Sequence, residues 1–561
     1  MAETADRDAG RDRLAALVAP GARDLRRAGL LSVAAALIWL PQAAIVALAI
    51  AALLDPALPQ LPPLVLAAGF AGLGLARAWL AALSEARASH AADRVLGLER
   101  QRLIEDEALR GPLDPNRPAS AEVTALAAQK LEALRPFLTR YQPARMRVAV
   151  LPPAILALSF WFSWAVGSVL LVAGPLIPVF MALVGLAARE ASARQMEEIG
   201  SLNGLLMERL SALVDIRVLD AGARTLARFD RAADELRRQT MEVLRIAFLS
   251  STVLELFAAL GVAMVAVYVG FALLGEIGFG TWGAPLGVGA GIFLLLMAPD
   301  FFQPLRDLAA AWHDKSAAVA VASELAAAEA AGRRNIAGQG AAAAPLAGPA
   351  RIATRGVAFE TAVGHRLLFP DLDLPPGSRV ALTGPSGAGK STLLALLAGL
   401  AAPASGRIEV AGQPLGADTA DAWRTRIGWV SQTPHFLNRS LADNLALAGG
   451  NAATVEQALD LAQARAVVSA LPRGRATRLG ETGAGVSGGE ARRLTIARAA
   501  AASPGVILAD EPTADLDPET ARLVTDGLMR LADGGATLIV ATHDPDLVAR
   551  MDRQIALGDP A

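Results

Sequence analysis

The sequence predicts a multi-domain membrane protein, in which an all-α domain of six transmembrane helices precedes an α/β domain of the P-loop type. Long uncharged apolar stretches fill much of the chain up to about residue 305. The mean hydropathy is +0.40 and 53% of the 561 residues are hydrophobic, which is high for a soluble protein. From about Arg351 onward the composition is that of a soluble domain, and this part contains a glycine-rich loop of the phosphate-binding type.

Six apolar stretches are each long enough to cross a hydrocarbon core of about 30 Å. Residues 28–54 carry no charge, and this stretch is too long for the apolar region of a cleaved signal peptide. Residues 148–188 would measure about 60 Å as one helix, so we expect two spans joined by a tight turn near 163–167. The predicted spans are 28–54, 61–83, 148–164, 166–188, 247–274 and 284–305.

The connections between these spans alternate in charge. The short connections contain no Lys or Arg, whereas the long connections at 84–147 and 189–245 are rich in Arg. Positively charged loops face the cytoplasm, so we expect both termini, both long loops and the soluble domain on that side. We assign residues 1–330 to the transmembrane domain, 331–350 to a linker rich in small residues, and 351–561 to the soluble domain.

The composition excludes several kinds of site. The chain has no cysteine, which rules out disulfides, thiolate metal sites and cysteine catalysis. The formal net charge is −2, so the overall charge gives no support for nucleic-acid binding.

The phosphate-binding loop lies at 384–392 and fits the pattern G-x-x-x-x-G-K-[ST]. A predicted strand leads into it and a predicted helix leads out. The backbone N–H groups of such a loop face phosphate oxygens, and the helix N-terminus adds a positive dipole. We expect Lys390 to reach the β- and γ-phosphates of ATP and Ser391 to hold Mg²⁺. The predicted ATP-binding residues are Gly384, Pro385, Ser386, Gly387, Ala388, Gly389, Lys390, Ser391, Thr392 and Gln432.

Further motifs follow this loop along the chain. Asp510 ends an apolar strand, where its carboxylate can hold Mg²⁺, and Glu511 beside it can orient or deprotonate the attacking water. His543 ends another apolar strand, which places its imidazole near the γ-phosphate. A second anion site is offered by the start of a later helix, at Ser487, Gly488, Gly489 and Glu490. The P-loop already provides one phosphate site, so this second site needs a separate explanation.

With these motifs in this order, the chain resembles the ABC transporter family over its whole length. Six spans followed by a nucleotide-binding domain is the layout of the half-transporters among ABC exporters. The resemblance implies that Ser487–Glu490 is the signature, which faces the P-loop of a second nucleotide domain across a bound ATP. It also implies that Gln432 contacts Mg²⁺ or water and that His543 is a switch histidine.

The chain departs from the family pattern in two places. The signature ends in Glu490, where the family has Gln. An aromatic residue that stacks on adenine is usual upstream of the P-loop, but Thr361 occupies that place here. Phe359 and His365 are the candidates to replace it.

Three stretches of the first domain, at 175–185, 240–255 and 298–306, resemble the CydD subunit of CydDC-type exporters. This resemblance implies a heterodimer with a CydC-like chain in the bacterial inner membrane. It also implies export of thiols such as cysteine or glutathione in support of cytochrome bd assembly. A heme-transport role has been proposed for that family, which adds heme as an alternative ligand.

Charged residues inside or beside the spans are the substrate candidates, because charges at such depth usually face a cavity or a partner. Arg77 can bind a carboxylate bidentately. The alternative is an interhelical ion pair of Arg77, such as one with Glu255, which is itself a substrate candidate. His313 follows the sixth span, and a neutral imidazole there can ligate heme iron. The alternative is a solvated or packed histidine.

Two other functions remain compatible with the sequence. One is a homodimeric exporter of lipid or hydrophobic drug. The other is an ATP-gated regulatory or sensory membrane protein that moves no substrate. The six predicted spans exclude a soluble ATPase acting on DNA.

Overall fold

The computed structural model of the chain describes residues 2–54, 61–118, 120–177, 179–180, 209, 212–361, 364–447, 449, 451–480 and 485–558. The chain forms two compact units. The first comprises Met1–Gln101 and Ala121–Ala328, and the second comprises Arg102–Ser120 and Glu329–Ala561.

The described residues of the first unit form helices joined by turns and loops, and α4 extends from this unit into the second. A run of 3₁₀ and π turns at 130–141 leads into α6. The helices are α1 Ala2–Val18, α2 Ala22–Leu37, α3 Trp39–Leu54, α4 Pro63–Ala108, α5 Ser120–Ala128, α6 Gln142–Phe162, α7 Trp164–Ile177, α8 Leu213–Val218, α9 Gly222–Leu273, α10 Val288–Ala310 and α11 Trp312–Ala330.

Within the described residues, five helical stretches are long and apolar enough to cross a membrane, and α7 is a shorter apolar helix. Large apolar side chains lie on their outer surfaces, as for Leu64 and Trp161, which are 81% and 79% exposed. Such surfaces suit hydrocarbon rather than water. Each predicted span overlaps one of these helices, although residues 178 and 181–188 of the fourth lie outside the described residues.

The helix break expected at 163–167 lies at Ser163. Its backbone is extended between α6 and α7, with φ −154° and ψ 119°. Its hydroxyl donates to the carbonyl oxygen of Gly280 at 2.7 Å and accepts from the backbone N–H of Val166 at 3.3 Å. The hydroxyl therefore satisfies an N–H in the first turn of α7 and also joins the helix break to the loop that contains Gly280.

The second unit contains two sheets and the helices around them. A parallel sheet has the strand order β10-β4-β9-β8-β7, and an antiparallel sheet has the order β2-β1-β5-β6 with β3 also paired to β1. The strands are β1 Ile352–Glu360, β2 Arg366–Leu368, β3 Leu372–Leu374, β4 Arg379–Thr383, β5 Ser405–Val410, β6 Gln413–Pro414, β7 Ile427–Val430, β8 Val506–Asp510, β9 Thr537–Ala541 and β10 Arg553–Ala556.

The helices of this unit lie between or after these strands along the chain. They are α12 Lys390–Leu397, α13 Ala420–Arg424, α14 Leu441–Leu445, α15 Ala452–Leu461, α16 Arg465–Ala470, α17 Gly488–Ala501, α18 Pro518–Asp533 and α19 Pro545–Val548.

The parallel sheet explains why the motifs meet. Every residue of β8 and β9 is buried, which is typical of central parallel strands covered on both faces. β4, β8 and β9 are neighbours and run in the same direction. Their carboxyl ends therefore lie at one edge of the sheet, which is where open α/β sheets bind ligands.

The segment expected to be a linker is bound to the second unit rather than free. The N–H of Gly111 donates to the carbonyl of Arg334 at 2.8 Å, and the N–H of Ile336 donates to Leu109 at 2.9 Å. Farther along, the Asp421 carboxylate accepts from the N–H groups of residues 339 and 340. The residues that follow α4 and those that follow α11 are thus held together within this unit.

Candidate functional site: a nucleotide-binding cavity

The P-loop joins β4 to α12, and its conformation depends on glycine. Gly384 has φ +144°, and a Cβ there would lie 2.2 Å from the carbonyl oxygen of Leu557. Gly389 is the N-cap of α12 and has φ +89° in the left-handed region. Because side chains at these positions would be strained or would clash, the two glycines allow the backbone to curl around a phosphate.

Lys390 is buried at the start of α12, with 7% of its surface exposed. Its Nζ donates to the carbonyl oxygens of Gly384 at 2.9 Å and Pro385 at 3.3 Å. It also lies 2.8 Å from Nε2 of His543 and 3.9 Å from Oε1 of Glu511. The P-loop ammonium group is therefore already directed into the cavity, beside the two predicted catalytic side chains.

Asp510 ends β8 and is also buried. Burial raises the pKa of its carboxyl group, and a hydrogen bond to Ser391 and the charge of Lys390 oppose that rise. Its Oδ1 atom is buried and has no hydrogen-bond partner among the described residues. A buried carboxylate oxygen without a partner next to a hydroxyl is a donor set that suits Mg²⁺, which prefers oxygen ligands.

Glu511 directly follows β8 and has a left-handed backbone, with φ +46°. Its N–H donates to the carbonyl of Ala541 at 2.8 Å. Its carboxylate accepts from the backbone N–H of His543 at 3.3 Å, and Oε1 lies 3.4 Å from Nε2 of that histidine. The side chain is 15% exposed and faces the cavity, a geometry that suits a base acting on a water molecule.

Lys390, Glu511 and His543 line a cavity of about 1240 Å³, which Ser391 and Gln432 also line. None of the lining residues in the described part of the chain is Phe, Tyr or Trp. The rim nearest the P-loop is instead formed by Thr361 and Leu367. A Cβ on Gly389 would lie 3.0 Å from Cδ1 of Leu367, so that leucine covers the loop directly.

The two aromatic candidates for adenine stacking lie elsewhere. Phe359 is buried in the core of the unit, 5% exposed, and the guanidinium of Arg334 lies 5.6 Å from its ring centroid. His365 is exposed and does not line the cavity. Neither residue therefore lines the cavity, because β1 buries Phe359 on its inner face while Leu367 occupies the cavity rim.

The signature motif opens α17 but does not line this cavity among its described residues. Ser487 is the N-cap, and its side chain accepts from the N–H of Glu490 at 3.3 Å. Glu490 in turn accepts from the N–H of Ser487 at 2.7 Å, which completes a capping box. The departure from Gln is therefore mild, since a carboxylate accepts that hydrogen bond as well as an amide oxygen.

Comparison with known proteins identifies the family. The ABC transporter model matches residues 370–514, and the ABC transporter transmembrane region model matches residues 122–287. The chain is 38% identical to the transport ATP-binding protein AarD of Providencia stuartii, over 76% of this chain and 72% of that protein. It is 34% identical to the glutathione/L-cysteine transport system ATP-binding/permease protein CydD of Escherichia coli (strain K12), over 85% of this chain and 81% of that one. The chain belongs to the CydD family of ABC transporters.

A solved structure confirms the predicted fold of this CydD-family chain. A bacterial Atm1-family ABC exporter with ATP bound superposes with a TM-score of 0.77 at 21% identity, covering 97% of this chain and 94% of that one. The chain is also 27% identical to a CydC protein of Bacillus subtilis (strain 168), over 80% of this chain and 77% of that protein. It is therefore a multi-pass membrane protein with an ABC nucleotide-binding domain.

The charged candidates in the membrane domain have partners that differ from those expected. Glu255 is exposed and pairs with Arg306 at 2.9 Å, so the alternative of an Arg77–Glu255 ion pair was wrong. The guanidinium of Arg77 lies 5.3 Å from the ring centroid of Trp39. Arg77 and Trp39 are also the polar neighbours of the Asp300 carboxylate.

His313 lies in the first turn of α11 and is exposed. No group of three or more His, Asp or Glu side chains that could hold a metal ion occurs in the parts of the chain that the structure describes. The names of the relatives do not mention heme either. The expectation of heme therefore gains no support here.

Proposed function

We propose that this chain is one half of an ATP-hydrolysing exporter, which moves thiols of the cysteine or glutathione type across the bacterial inner membrane. The observation that carries the hydrolytic part is the cluster of Lys390, Glu511 and His543, in which Glu511 lies 3.9 Å from the lysine and 3.4 Å from the histidine. The cargo is taken from the relatives named as glutathione/L-cysteine transport proteins.

Each of these side chains has a separate role in ATP hydrolysis. Lys390 binds the β- and γ-phosphates as a positive charge, and the P-loop N–H groups surround them. Ser391, Asp510 and Gln432 would hold Mg²⁺, which neutralises phosphate charge when it is bound with ATP. Glu511 orients the attacking water and accepts its proton, and His543 contacts the γ-phosphate.

The site needs a second chain. The signature helix α17 does not line the cavity built on this P-loop in the described residues, although it presents its own N-terminus as an anion site. A second nucleotide domain supplies the missing signature, and Ser487, Gly488, Gly489 and Glu490 serve that partner's ATP in return. The relatives named CydD and CydC favour a heterodimer with a CydC-like chain.

ATP binding closes the two nucleotide domains, and closure opens a cavity of twelve spans to the outside. Hydrolysis at Glu511 resets it. The excess of arginine in the two long connections supports a cytoplasmic position for the nucleotide domains and both termini.

Arg77 is the substrate contact that we propose in the membrane domain. Its planar guanidinium stacks on Trp39, which leaves the edge of the fork free to take a carboxylate bidentately. Asp300 beside it can accept an ammonium group. Cysteine and glutathione each carry a carboxylate and an α-ammonium group, so both charges are matched. Glu255 and His313 stay secondary candidates, because both are exposed on the described surface.

Uptake into inverted membrane vesicles tests this function. Vesicles that contain both chains should accumulate radiolabelled cysteine or glutathione when ATP is added, and vesicles with Glu511→Gln should not. Arg77→Ala should lower uptake at least tenfold while expression stays equal. ATPase activity without uptake of either thiol would instead favour a regulatory protein, and ATP-driven lipid transport by this chain alone would favour the homodimeric exporter.

A further inference from the structure

A buried arginine connects the signature helix to the candidate catalytic base. Arg492 lies on α17 and only 7% of its surface is exposed. Its Nη1 donates to the backbone carbonyl oxygen of Glu511. Neither the motif nor the function described above assigns a role to this residue.

The surroundings of Arg492 partly offset the cost of burying its charge. Burial lowers the pKa of its guanidinium, and the nearby carboxylates of Asp515 and Glu511 raise it again. An arginine side chain stays protonated in proteins and has no acceptor, so it can only donate. A buried charge of this kind is stable only where it is hydrogen-bonded and paired, which the turn after β8 provides.

The two acidic residues beside Arg492 both have left-handed backbones. Glu511 has φ +46° and Asp515 has φ +60°. Residues other than glycine rarely adopt this backbone conformation, so the surrounding contacts must hold the turn in place. The N–H of Glu511 is fixed to Ala541 of β9 at 2.8 Å, and its carbonyl is fixed by Arg492 and by the N–H of Ala514 at 3.3 Å. Arg492 is thus one of the groups that determine the direction of the Glu511 backbone.

The same helix begins at the signature. Ser487 is its N-cap, five residues before Arg492, which corresponds to about 7.5 Å along a helix axis. The helix also packs closely on the chain after the turn, since a Cβ on Gly489 would lie 2.2 Å from Cγ2 of Thr520. A rigid helix therefore joins the end that faces the partner's nucleotide to the turn that carries Glu511.

We propose that Arg492 is a positioning residue for Glu511, through which the engagement of the partner's nucleotide at Ser487–Gly489 sets hydrolysis at this chain's own P-loop. The proposal rests on the proposed function, because it requires two ATP sites shared between two chains. It adds a connection inside this chain between those two sites. Without the guanidinium, the Glu511 carbonyl loses its charged donor and the carboxylate loses its fixed direction toward the water.

Arg493 provides a matched control. It is the next residue on α17, and its Nη1 donates to the carbonyl of Gln463 at 3.0 Å, away from the turn after β8. Replacement of either arginine removes one charge and one hydrogen bond to a backbone carbonyl from the same helix. Only Arg492 touches Glu511.

The test uses the reconstituted two-chain transporter with Arg492→Gln, Arg492→Lys and Arg493→Gln. We expect Arg492→Gln to lower kcat for ATP at least tenfold, while KM and the Kd of a fluorescent ATP analogue stay within twofold. Arg492→Lys should recover part of kcat, and Arg493→Gln should stay within twofold of the unmodified pair. Unchanged kcat in Arg492→Gln, an equal loss in Arg493→Gln, or a loss that follows a drop in the thermal midpoint would overturn the proposal.

A double variant separates the two ends of the helix. If Arg492 acts through Glu511, then Arg492→Gln combined with Glu511→Gln should be no slower than Glu511→Gln alone. A further loss in the double variant would mean that the arginine acts on the partner's site, and would overturn the proposal. Absence of ATPase activity in the unmodified pair would overturn the proposed function and this inference together, whereas ATPase activity without thiol uptake would overturn only the cargo.

Discussion

The ammonium group of Lys390 and the imidazole of His543 are hydrogen-bonded across the nucleotide cavity, with 2.8 Å between Nζ and Nε2. The carboxylate of Glu511 lies beside both groups. Three groups that the proposed mechanism directs at the γ-phosphate or its attacking water therefore lie beside one another, and we expect bound nucleotide to replace these contacts with its own.

Glu511→Gln should abolish turnover and leave ATP binding intact. The carboxylate acts on water, whereas the phosphates are bound by the P-loop, so the change should lower kcat at least about 100-fold. ATPase activity of the reconstituted pair and fluorescence of a bound ATP analogue measure the two effects. Glu519→Gln, an exposed glutamate on α18 outside the cavity lining, is the control. Unchanged ATPase activity in Glu511→Gln would remove Glu511 from the catalytic role.

Thr361→Tyr should tighten ATP binding. The cavity rim has Thr361 and Leu367 but no described aromatic ring, so the introduced ring would supply the missing stacking surface. Stacking on an aromatic side chain contributes about 1–3 kcal/mol per base, so we expect a Kd at least about fivefold lower. His365→Tyr adds the same ring at an exposed position outside the lining and should leave Kd unchanged. Equal effects of the two variants would show that the base does not lie against Thr361.

Glu490→Ala should destabilise the start of the signature helix. The change removes the acceptor that holds the N–H of Ser487 at 2.7 Å, and loss of one capping interaction costs about 1 kcal/mol. Glu490→Gln retains an acceptor oxygen and should cost less than half as much. Thermal unfolding of the purified pair measures both variants. Equal losses for Ala and Gln would mean that charge at the helix N-terminus, rather than the capping box, is what Glu490 contributes.

Asp421→Asn should weaken the hydrogen bonds that hold residues 338–340 within the second unit. It should also make the free energy of unfolding depend less on pH in the acid range. Hydrogen bonds from the backbone N–H of Gln339, and then Gly340, lower the pKa of the Asp421 carboxyl group below its ordinary value of 3.8, with a further contribution from Arg424. Because the folded-state pKa is the lower one, this stabilisation is fully present above about pH 4 and is lost as pH falls through the folded pKa.

Loss of these charge-assisted bonds should cost about 1–2 kcal/mol in the free energy of unfolding at neutral pH. Unfolding measured at pH 7 and at pH 3 should show a smaller difference between Asp421→Asn and the unmodified chain at the lower pH. The exposed Asp418→Asn serves as the control. A difference that does not shrink at pH 3 would contradict the assignment.

The nucleotide motifs could be recognised in the chain because each is local. In the P-loop, the spacing from Gly384 to Lys390 follows from the turn that a phosphate requires, and the surrounding strand and helix are readable as apolar runs. The spans are readable for a similar reason, since the thickness of the hydrocarbon core sets the length of each uncharged stretch.

Contacts between residues that are distant in the chain could not be predicted from the sequence. A charge inside a span indicates that a partner exists but not which one, and Glu255 pairs with Arg306 rather than with Arg77. Pairing depends on how α9 and α10 pack. The position of Phe359 was not readable either, because its burial depends on which face of β1 meets the core.

Chain spacing therefore fixes which chemistry is present: a P-loop lysine, a carboxylate pair at the end of β8, a signature and six apolar spans. Packing decides which groups act together. Parallel pairing of β4, β9 and β8 brings Lys390, Glu511 and His543 within hydrogen-bonding or ion-pairing distance, although up to 153 positions separate them in the chain. Packing of α17 against the turn after β8 gives Arg492 its contact with Glu511. No local sequence pattern predicts this contact, because a buried arginine and an exposed arginine in a helix cannot be told apart until their neighbours are known.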